Sequence, residues 1–255
     1  MEKNIILAGV GGQGILSIAF VIDNAALDAG LHFKQAEVHG MAQRGGAVQS
    51  NLRYGDSEIW SDIIPTGKAD MVLSVEPLEV FRYRHYLRPG GWVVTSTTPY
   101  VNIPDYPDIE GLLDQLAGFE NIVLVDTEHF ARAAGNLRAQ NMVAVGAASP
   151  LLDFEEDRML AFVEALFSRK GEKIVAVNQR AFRFGRAAGL FFRALGEAGM
   201  PKIAALSLVG KLDPETIDEK HAAAWAEAIA DDEAKLQAVL EEEEAVACDC
   251  AAAFA

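Results

Sequence analysis

Apolar residues along the chain recur in short runs that alternate with longer helical patterns. Residues 4–10 form an apolar run that ends in glycines, which predicts a buried strand, and residues 15–27 are apolar on nearly every face, which predicts a buried helix. A helix is also predicted from Pro77 to a point before Pro89. Further strands are predicted at 33–38, 71–75, 92–96 and 122–126, and further helices at 127–135, 138–148, 155–168 and 178–196. Strands that alternate with helices predict an α/β, Rossmann-like fold with a mostly parallel sheet and helices on both faces.

Two alternating runs interrupt this rhythm. Residues 47–54 and 58–64 both alternate between apolar and polar positions, and Gly55-Asp56-Ser57 lies between them. Such a pair around a turn predicts an antiparallel β-hairpin inserted into the parallel sheet.

The composition changes after Gly210. In residues 219–245, Trp225, Ile229, Leu236 and Leu240 recur at helical spacing with acidic residues on the other faces, which predicts an amphipathic helix. We therefore divide the chain into a domain of residues 1–210 and an acidic helical extension of residues 211–255.

Most of the formal net charge of −15 belongs to this extension, since residues 213–255 carry −11 and residues 1–212 carry −4. Neither part has the basic surface of a protein that binds nucleic acid or anionic membranes. No stretch approaches the roughly eighteen apolar residues of a membrane span. The N-terminus lacks the pattern of a secretory signal, so a cytoplasmic location is expected.

Metal-binding residues are sparse. The two cysteines, Cys248 and Cys250, are too few for an iron–sulfur cluster or a structural zinc site, both of which take four ligands. The histidines have no carboxylate or cysteine neighbours at ligand spacing. We expect no metal site on this chain.

The first candidate site is a glycine loop. Gly9, Gly11 and Gly14 spell G-x-G-x-x-G, and backbone N–H groups at the start of the following helix favour an anion such as phosphate. The loop is not a P-loop, because Ile15 and Leu16 stand where Lys and Ser or Thr are required. Glu37, near the end of the second strand, leaves NAD binding open. Alternatively, the glycines only permit close packing of strand and helix.

The second candidate site is the loop at residues 39–46, HGMAQRGG. Arg44 can make a bidentate contact to phosphate or carboxylate, and His39 can donate a hydrogen bond. Gly45 and Gly46 allow the backbone to approach a ligand. The alternative is a surface loop whose glycines serve only its turn.

The motifs GVGGQG at 9–14 and EVHGMAQRGGAV at 37–48 together carry a family resemblance. The chain resembles the gamma-type subunits of 2-oxoacid:ferredoxin oxidoreductases, especially those of the branch that acts on indolepyruvate. The resemblance covers about residues 4–195, and further matching segments lie at 70–83, 86–94, 141–147 and 178–186.

The resemblance implies an enzyme that oxidatively decarboxylates a 2-oxoacid, here indolepyruvate or another aryl pyruvate, to an acyl-CoA and reduces ferredoxin. It implies that thiamine diphosphate and [4Fe–4S] clusters lie on a large alpha subunit, and that this chain contacts coenzyme A near the interface. It assigns no catalytic acid, base or nucleophile to this chain. The site residues that match, with the two glycines that follow them, are Gly11, Gly12, Gln13, Gly14, His39, Gln43, Arg44, Gly45 and Gly46.

Two other functions remain open from the sequence. One is a free-standing NAD-dependent dehydrogenase that uses the loop at 9–14. The other is a module that binds a nucleotide or coenzyme A without catalysing a reaction.

Overall fold

The computed structural model describes residues 2–39, 45–215, 219–232 and 235. Within this part of the chain, six strands form one sheet in the order β2-β3-β1-β4-β5-β6. The strands β1, β4, β5 and β6 are parallel, whereas β3 runs antiparallel to both of its neighbours. The bounds are β1 Glu2–Val10, β2 His32–His39, β3 Ala47–Gly55, β4 Ala69–Ser74, β5 Leu87–Ser96 and β6 Ile122–Val125.

Helices cover both faces of this sheet, as predicted. The helices are α1 Ile15–Asp28, α2 Pro77–Tyr83, α3 Ile109–Ala117, α4 Thr127–Ala134, α5 Gln140–Ala148, α6 Glu156–Phe167, α7 Glu172–Glu197, α8 Lys202–Lys211 and α9 Glu219–Ala230. On one face, Ile5 and Leu7 of β1 join a large apolar core with α1, α5 and α7. On the other face, Ile6 of β1 packs with Ile64 and with Tyr83 of α2. The α/β fold with a mostly parallel sheet is thereby confirmed.

The antiparallel hairpin is present, but its strands are not the two predicted ones. Residues 47–54 belong to β3 as expected, whereas residues 58–64 form no strand. Both edges of β3 are already taken by β1 and β2, so no edge is left for residues 58–64 to join. Side chains of β3 satisfy that segment instead: Asn51 Oδ1 accepts the N–H of Ile64 at 3.1 Å, and Arg53 Nη1 donates to the carbonyl of Ser61 at 2.7 Å.

Helix α5 crosses helix α7 at backbone contact. A Cβ atom on Gly146 would lie 1.9 Å from the carbonyl oxygen of Phe182, and one on Gly185 would lie 2.0 Å from that of Val143. Only glycine fits at either position, because any side chain would overlap the facing backbone. This crossing anchors the long helix α7 against the core.

Helix α9, the described helix of the extension beyond residue 210, packs on α7. Trp225 of α9 is buried, its ring centroid lies 6.0 Å from that of Phe191, and Ile229 is buried beside it. The predicted apolar stripe is confirmed for these two residues. Leu236, Leu240, Cys248 and Cys250 lie outside the described residues. In the part of the chain that is described, no helix combines the length and apolar character that crossing a bilayer requires.

Candidate functional site

The glycine loop lies at the carboxyl ends of β1 and β4. From β1 the chain leads through α1 toward β2 on one side of the sheet, whereas from β4 it leads through α2 to β5 on the other. The gap between β1 and β4 is therefore the topological switch point, where open α/β sheets bind their ligands.

The side chain of Gln13 fastens the loop to both strands. Its Oε1 accepts the N–H of Val10 at 2.7 Å, and its Nε2 donates to the carbonyl oxygen of Val75 at 3.1 Å. The amide thus holds the end of β1 against the residue that follows β4. This contact positions the loop, whether or not Gln13 also touches a ligand.

The glycines of the loop have different tasks. A Cβ on Gly9 would lie 2.6 Å from Val75 Cγ2, so Gly9 permits close packing. Gly12 has φ +108° and Gly14, the N-cap of α1, has φ +82°, and L side chains rarely adopt this backbone conformation. A Cβ on Gly12 would meet no atom within 4 Å, so the loop presents an open face there. Gly9 therefore serves close packing, whereas anion binding at Gly12 and Gly14 stays a prediction.

The two candidate loops are hydrogen-bonded to each other. The N–H of Gly11 donates to the carbonyl oxygen of Gly46 at 2.8 Å, and the N–H of Gly45 donates to the carbonyl oxygen of Gly11 at 3.3 Å. Asn102 Nδ2 donates to the carbonyl oxygen of Gly45 at 2.7 Å and so adds a third segment to the site. Predicted separately, the two motifs form one surface.

This pairing limits which backbone N–H groups of the glycine loop can bind an anion. The Gly11 N–H is used within the chain. In contrast, no described residue accepts a hydrogen bond from the backbone N–H groups of Gly12, Gly14, Ile15 and Leu16. They cluster at the first turn of α1, where backbone dipoles favour an anion.

Of the predicted site residues in the second loop, His39, Gln43 and Arg44 have side chains that lie outside the described part of the chain. The backbone of His39 pairs with Val48 at the end of β2. The side chain of His39 lies outside the described residues, and so do Gln43 and Arg44.

A buried carboxyl at this edge was not predicted. Glu76 is 1% exposed and caps α2 by accepting the N–H of Glu79 at 2.9 Å. It also accepts hydrogen bonds from the Tyr106 hydroxyl and, at 3.4 Å, from the N–H of Tyr100. Burial raises the pKa of Glu76 above its ordinary value, and these hydrogen bonds oppose the rise. The sequence signal was an acid directly before Pro77, at the N-cap position.

Glu76 thereby holds the connection at 99–107 beside the glycine loop. Tyr100, Val101 and Ile103 of this connection expose apolar side chains to solvent. Grouped apolar exposure of this kind is typical of a surface that another protein covers. The site edge is thus a glycine loop with an apolar rim.

The position of Glu37 argues against NAD binding. In β2, Glu37 pairs with Ser50 of β3, and Ser50 pairs with Leu7 of β1. Two strand spacings, roughly 10 Å, therefore separate the Glu37 backbone from β1, and β3 occupies the position beside it. A ribose contact from an acid on the strand next to the glycine loop is not available to Glu37. Among the described residues, no three His, Cys, Asp or Glu side chains group closely enough to hold a metal ion.

The sheet order, the switch-point glycine loop and the reversed strand β3 define a Rossmann-like α/β domain with an inserted hairpin. The chain belongs to the pyruvate ferredoxin/flavodoxin oxidoreductase family, whose model matches residues 4–188. Helices α8 and α9 follow this match.

Curated relatives support the same assignment. The chain is 36% identical over 195 residues to indolepyruvate oxidoreductase subunit IorB of Thermococcus kodakarensis, covering 72% of this chain and 94% of the relative. It is 37% identical over 192 residues to the IorB subunit of Pyrococcus horikoshii, with the same coverage. The family resemblance inferred from the two loop motifs is confirmed.

Solved structures share the fold. The 2-oxoglutarate:ferredoxin oxidoreductase of Magnetococcus marinus, solved with 2-oxoglutarate, coenzyme A and succinyl-CoA bound, matches with a TM-score of 0.60 and 24% identity. That match covers 74% of this chain and 31% of the longer one. Pyruvate oxidoreductase subunit PORC of Thermotoga maritima matches with a TM-score of 0.56 and 21% identity over 72% of this chain and 95% of its own.

Proposed function

We propose that this chain is the small, gamma-type subunit of a 2-oxoacid:ferredoxin oxidoreductase that converts indolepyruvate or a related aryl pyruvate to an acyl-CoA. The hydrogen-bonded union of the glycine loop with Gly45 and Gly46 carries the proposal, because it joins both family motifs at the switch point. The identity to IorB subunits over nearly their whole length supports the indolepyruvate branch.

The redox cofactors belong to a large partner subunit in this proposal. Thiamine diphosphate bound there would supply the chemistry of decarboxylation, and [4Fe–4S] clusters would carry electrons to ferredoxin. The chain's two cysteines are too few to ligate such a cluster, which fits this division. We expect the assembled enzyme in the cytoplasm.

This chain would contribute an anion contact at the interface. The N–H groups of Gly12, Gly14, Ile15 and Leu16, which no described residue accepts, are suited to a phosphate or carboxylate, and the open face over Gly12 gives access to them. We assign His39, Gln43 and Arg44 to the same contact, with coenzyme A as its ligand. Gly11, Gly45 and Gly46 hold the two loops together, and Gln13 fastens the glycine loop to the residue that follows β4.

We also propose that residues 211–255 are an acidic addition to the family domain rather than part of its site. The family match ends at residue 188, and α9 packs on α7 at Phe191, which lies beyond the matched residues. The extension would then stabilise the subunit or its assembly.

Reconstitution tests the proposed function. The chain, co-expressed with its large subunit, is expected to reduce ferredoxin or a viologen dye when supplied with indolepyruvate and coenzyme A, while the purified chain alone is inactive. Pyruvate and 2-oxoglutarate are assayed as alternative substrates, and their rates of turnover are compared with that of indolepyruvate. Turnover of a 2-oxoacid by the isolated chain would overturn the division of labour, and NAD binding measured by calorimetry would favour a dehydrogenase instead.

A further inference from the structure

A groove between α1 and the edge strand β2 exposes apolar side chains. Leu16 and Phe20 lie one helical turn apart on α1, and Phe33 faces them from β2. With Asp23, Gln35 and Leu166 they line a groove of about 500 Å³, which we call the α1–β2 groove. Large apolar side chains left in contact with water on one surface indicate a binding face.

A buried, unpaired carboxyl lies in the same groove. Asp23 is 5% exposed, and its Oδ1 has no hydrogen-bond partner among the described residues. Burial raises the pKa of Asp23 to about 7, with no charged group contributing to the shift. An unsatisfied buried carboxyl destabilises a fold, and a donor supplied by a bound partner would offset that cost.

The chemistry of the groove indicates what that donor is. Among the described residues that line the groove, Asp23 is the single acid, the others are apolar or neutral, and none is a lysine or arginine. A protein segment with apolar side chains and one basic residue complements this arrangement. A second copy of the chain fits less well, because each copy carries a formal net charge of −15.

The groove is also continuous with the candidate site. Leu16 lies in the first turn of α1, and its N–H, beside Gly14, is one of the donors that no described residue accepts. A partner that approaches the glycine loop would therefore meet the groove along the same helix.

We propose that the α1–β2 groove receives a segment of the large partner subunit, and that an arginine or lysine of that segment pairs with Asp23. The proposal rests on the proposed function for the identity of the partner. Pairing would keep Asp23 ionised in the complex, whereas burial favours its protonated form in the free chain. Asp23→Asn is therefore expected to stabilise the free subunit and to weaken the complex.

The test measures subunit affinity with the two purified full-length subunits. Asp23→Asn and Phe20→Glu are each expected to weaken the complex at least tenfold, and Asp23→Asn to reduce the dependence of the affinity on salt. Ile203→Glu on α8 is the matched control, because Ile203 and Phe20 have the same exposed fraction, 37%. The control is expected to keep wild-type affinity. Hydrogen exchange of residues 15–38 is expected to slow on assembly.

The possible outcomes separate the two proposals. Wild-type affinity in either groove variant, with melting showing that both fold, overturns the proposal for the groove and leaves the proposed function standing. Loss of a concentration-dependent homodimer in Phe20→Glu would show that a second copy fills the groove and overturns it equally. A wild-type chain that neither binds the large subunit nor supports 2-oxoacid turnover overturns the proposed function itself.

Discussion

The N–H of Gly11 donates to the carbonyl oxygen of Gly46 at 2.8 Å, and this bond joins the two sequence motifs of the chain. It follows from the reversed strand β3, which returns from β2 and pairs with β1 so that Ala47 lies opposite Val10. The hairpin therefore delivers its connecting loop to the end of β1. If the strand beside β1 ran parallel to β1, the loop that leads into it would lie at the opposite end of β1, away from the glycine loop.

Arg44 is predicted to contact an anionic ligand at this edge. A charge-assisted hydrogen bond contributes roughly 1.5–3 kcal/mol, and about 1.4 kcal/mol corresponds to a tenfold change in affinity. Arg44→Ala is therefore expected to raise the KM for coenzyme A, or for the 2-oxoacid, by roughly ten- to a hundredfold in the reconstituted enzyme. Steady-state kinetics with each substrate varied in turn measure this effect.

Arg44→Lys is the conservative variant for comparison with Arg44→Ala. A lysine supplies the charge but not the planar fork of the guanidinium, so partial recovery is expected. The melting temperature of both variants should stay close to that of the wild type. Normal KM values combined with lower stability would instead make Arg44 a residue of the loop fold.

The crossing of α5 and α7 predicts a large difference between two glycine substitutions. Gly146→Ala would place its Cβ 1.9 Å from the carbonyl oxygen of Phe182, so the helices must separate. We expect the free energy of unfolding to fall by roughly 1–3 kcal/mol or more. Gly196→Ala, near the end of α7, meets no atom within 4 Å and is expected to stabilise by roughly 0.5–1 kcal/mol. Denaturant unfolding of both variants checks the pair, and equal effects would contradict the backbone contact.

Much of this fold could be predicted because buried parallel strands and the helices between them have clear apolar patterns. Helix α3 was missed although Asp108 caps it, accepting the N–H of Gly111 at 2.9 Å, and Leu112 and Leu116 lie one turn apart. Its preceding connection, rich in proline and tyrosine, obscured that short pattern. The alternation in residues 58–64 wrongly predicts a strand, because an alternating pattern does not show whether a neighbouring strand has a free edge to pair with.

The site was predictable only in part for a similar reason. The glycine loop can be recognised from the sequence because its backbone conformation requires glycine locally, as the positive φ of Gly12 and Gly14 shows. Glu76 does not, because its role depends on Tyr106, thirty residues away in a connection without regular structure. Asp23 was hidden within a helix whose other residues read as a buried apolar segment.

The tail helix is predicted to stabilise the chain through Trp225. Its indole is 3% exposed and packs on Phe191, so Trp225→Ala is expected to lower the free energy of unfolding by roughly 3–5 kcal/mol. Trp60, which is 83% exposed, is the control, and Trp60→Ala should change stability by less than about 0.5 kcal/mol. Truncation after Gly210 is expected to act like Trp225→Ala while leaving the kinetics of assembled enzyme near normal. An unchanged melting temperature in both tail variants would show that α9 adds nothing to stability.

Asp23 predicts how the stability of the free subunit depends on pH. Its pKa is raised to about 7 in the folded chain, whereas an unfolded aspartate titrates near its ordinary value. Between these two pKa values the unfolded chain has released a proton that the folded chain still binds. The contribution of Asp23 is therefore fully present only below the ordinary pKa of an unfolded aspartate, falls as the pH rises above that value, and is lost once the pH has passed about 7.

Asp23→Asn removes this titration and is expected to leave stability less dependent on pH. At pH 8 the variant should be more stable than the wild type by roughly 1–3 kcal/mol, since its amide carries no buried charge. A gain of 1 kcal/mol corresponds to roughly 2–4 °C in melting temperature for a chain of this size. The measurement is thermal unfolding of both proteins from pH 5 to pH 8.5, with Asp28→Asn as the control because Asp28 is an exposed acid on the same helix, paired with Arg158. A difference between Asp23→Asn and wild type that stays constant across this pH range would mean that Asp23 is ionised throughout, with a donor in the free chain already satisfying it.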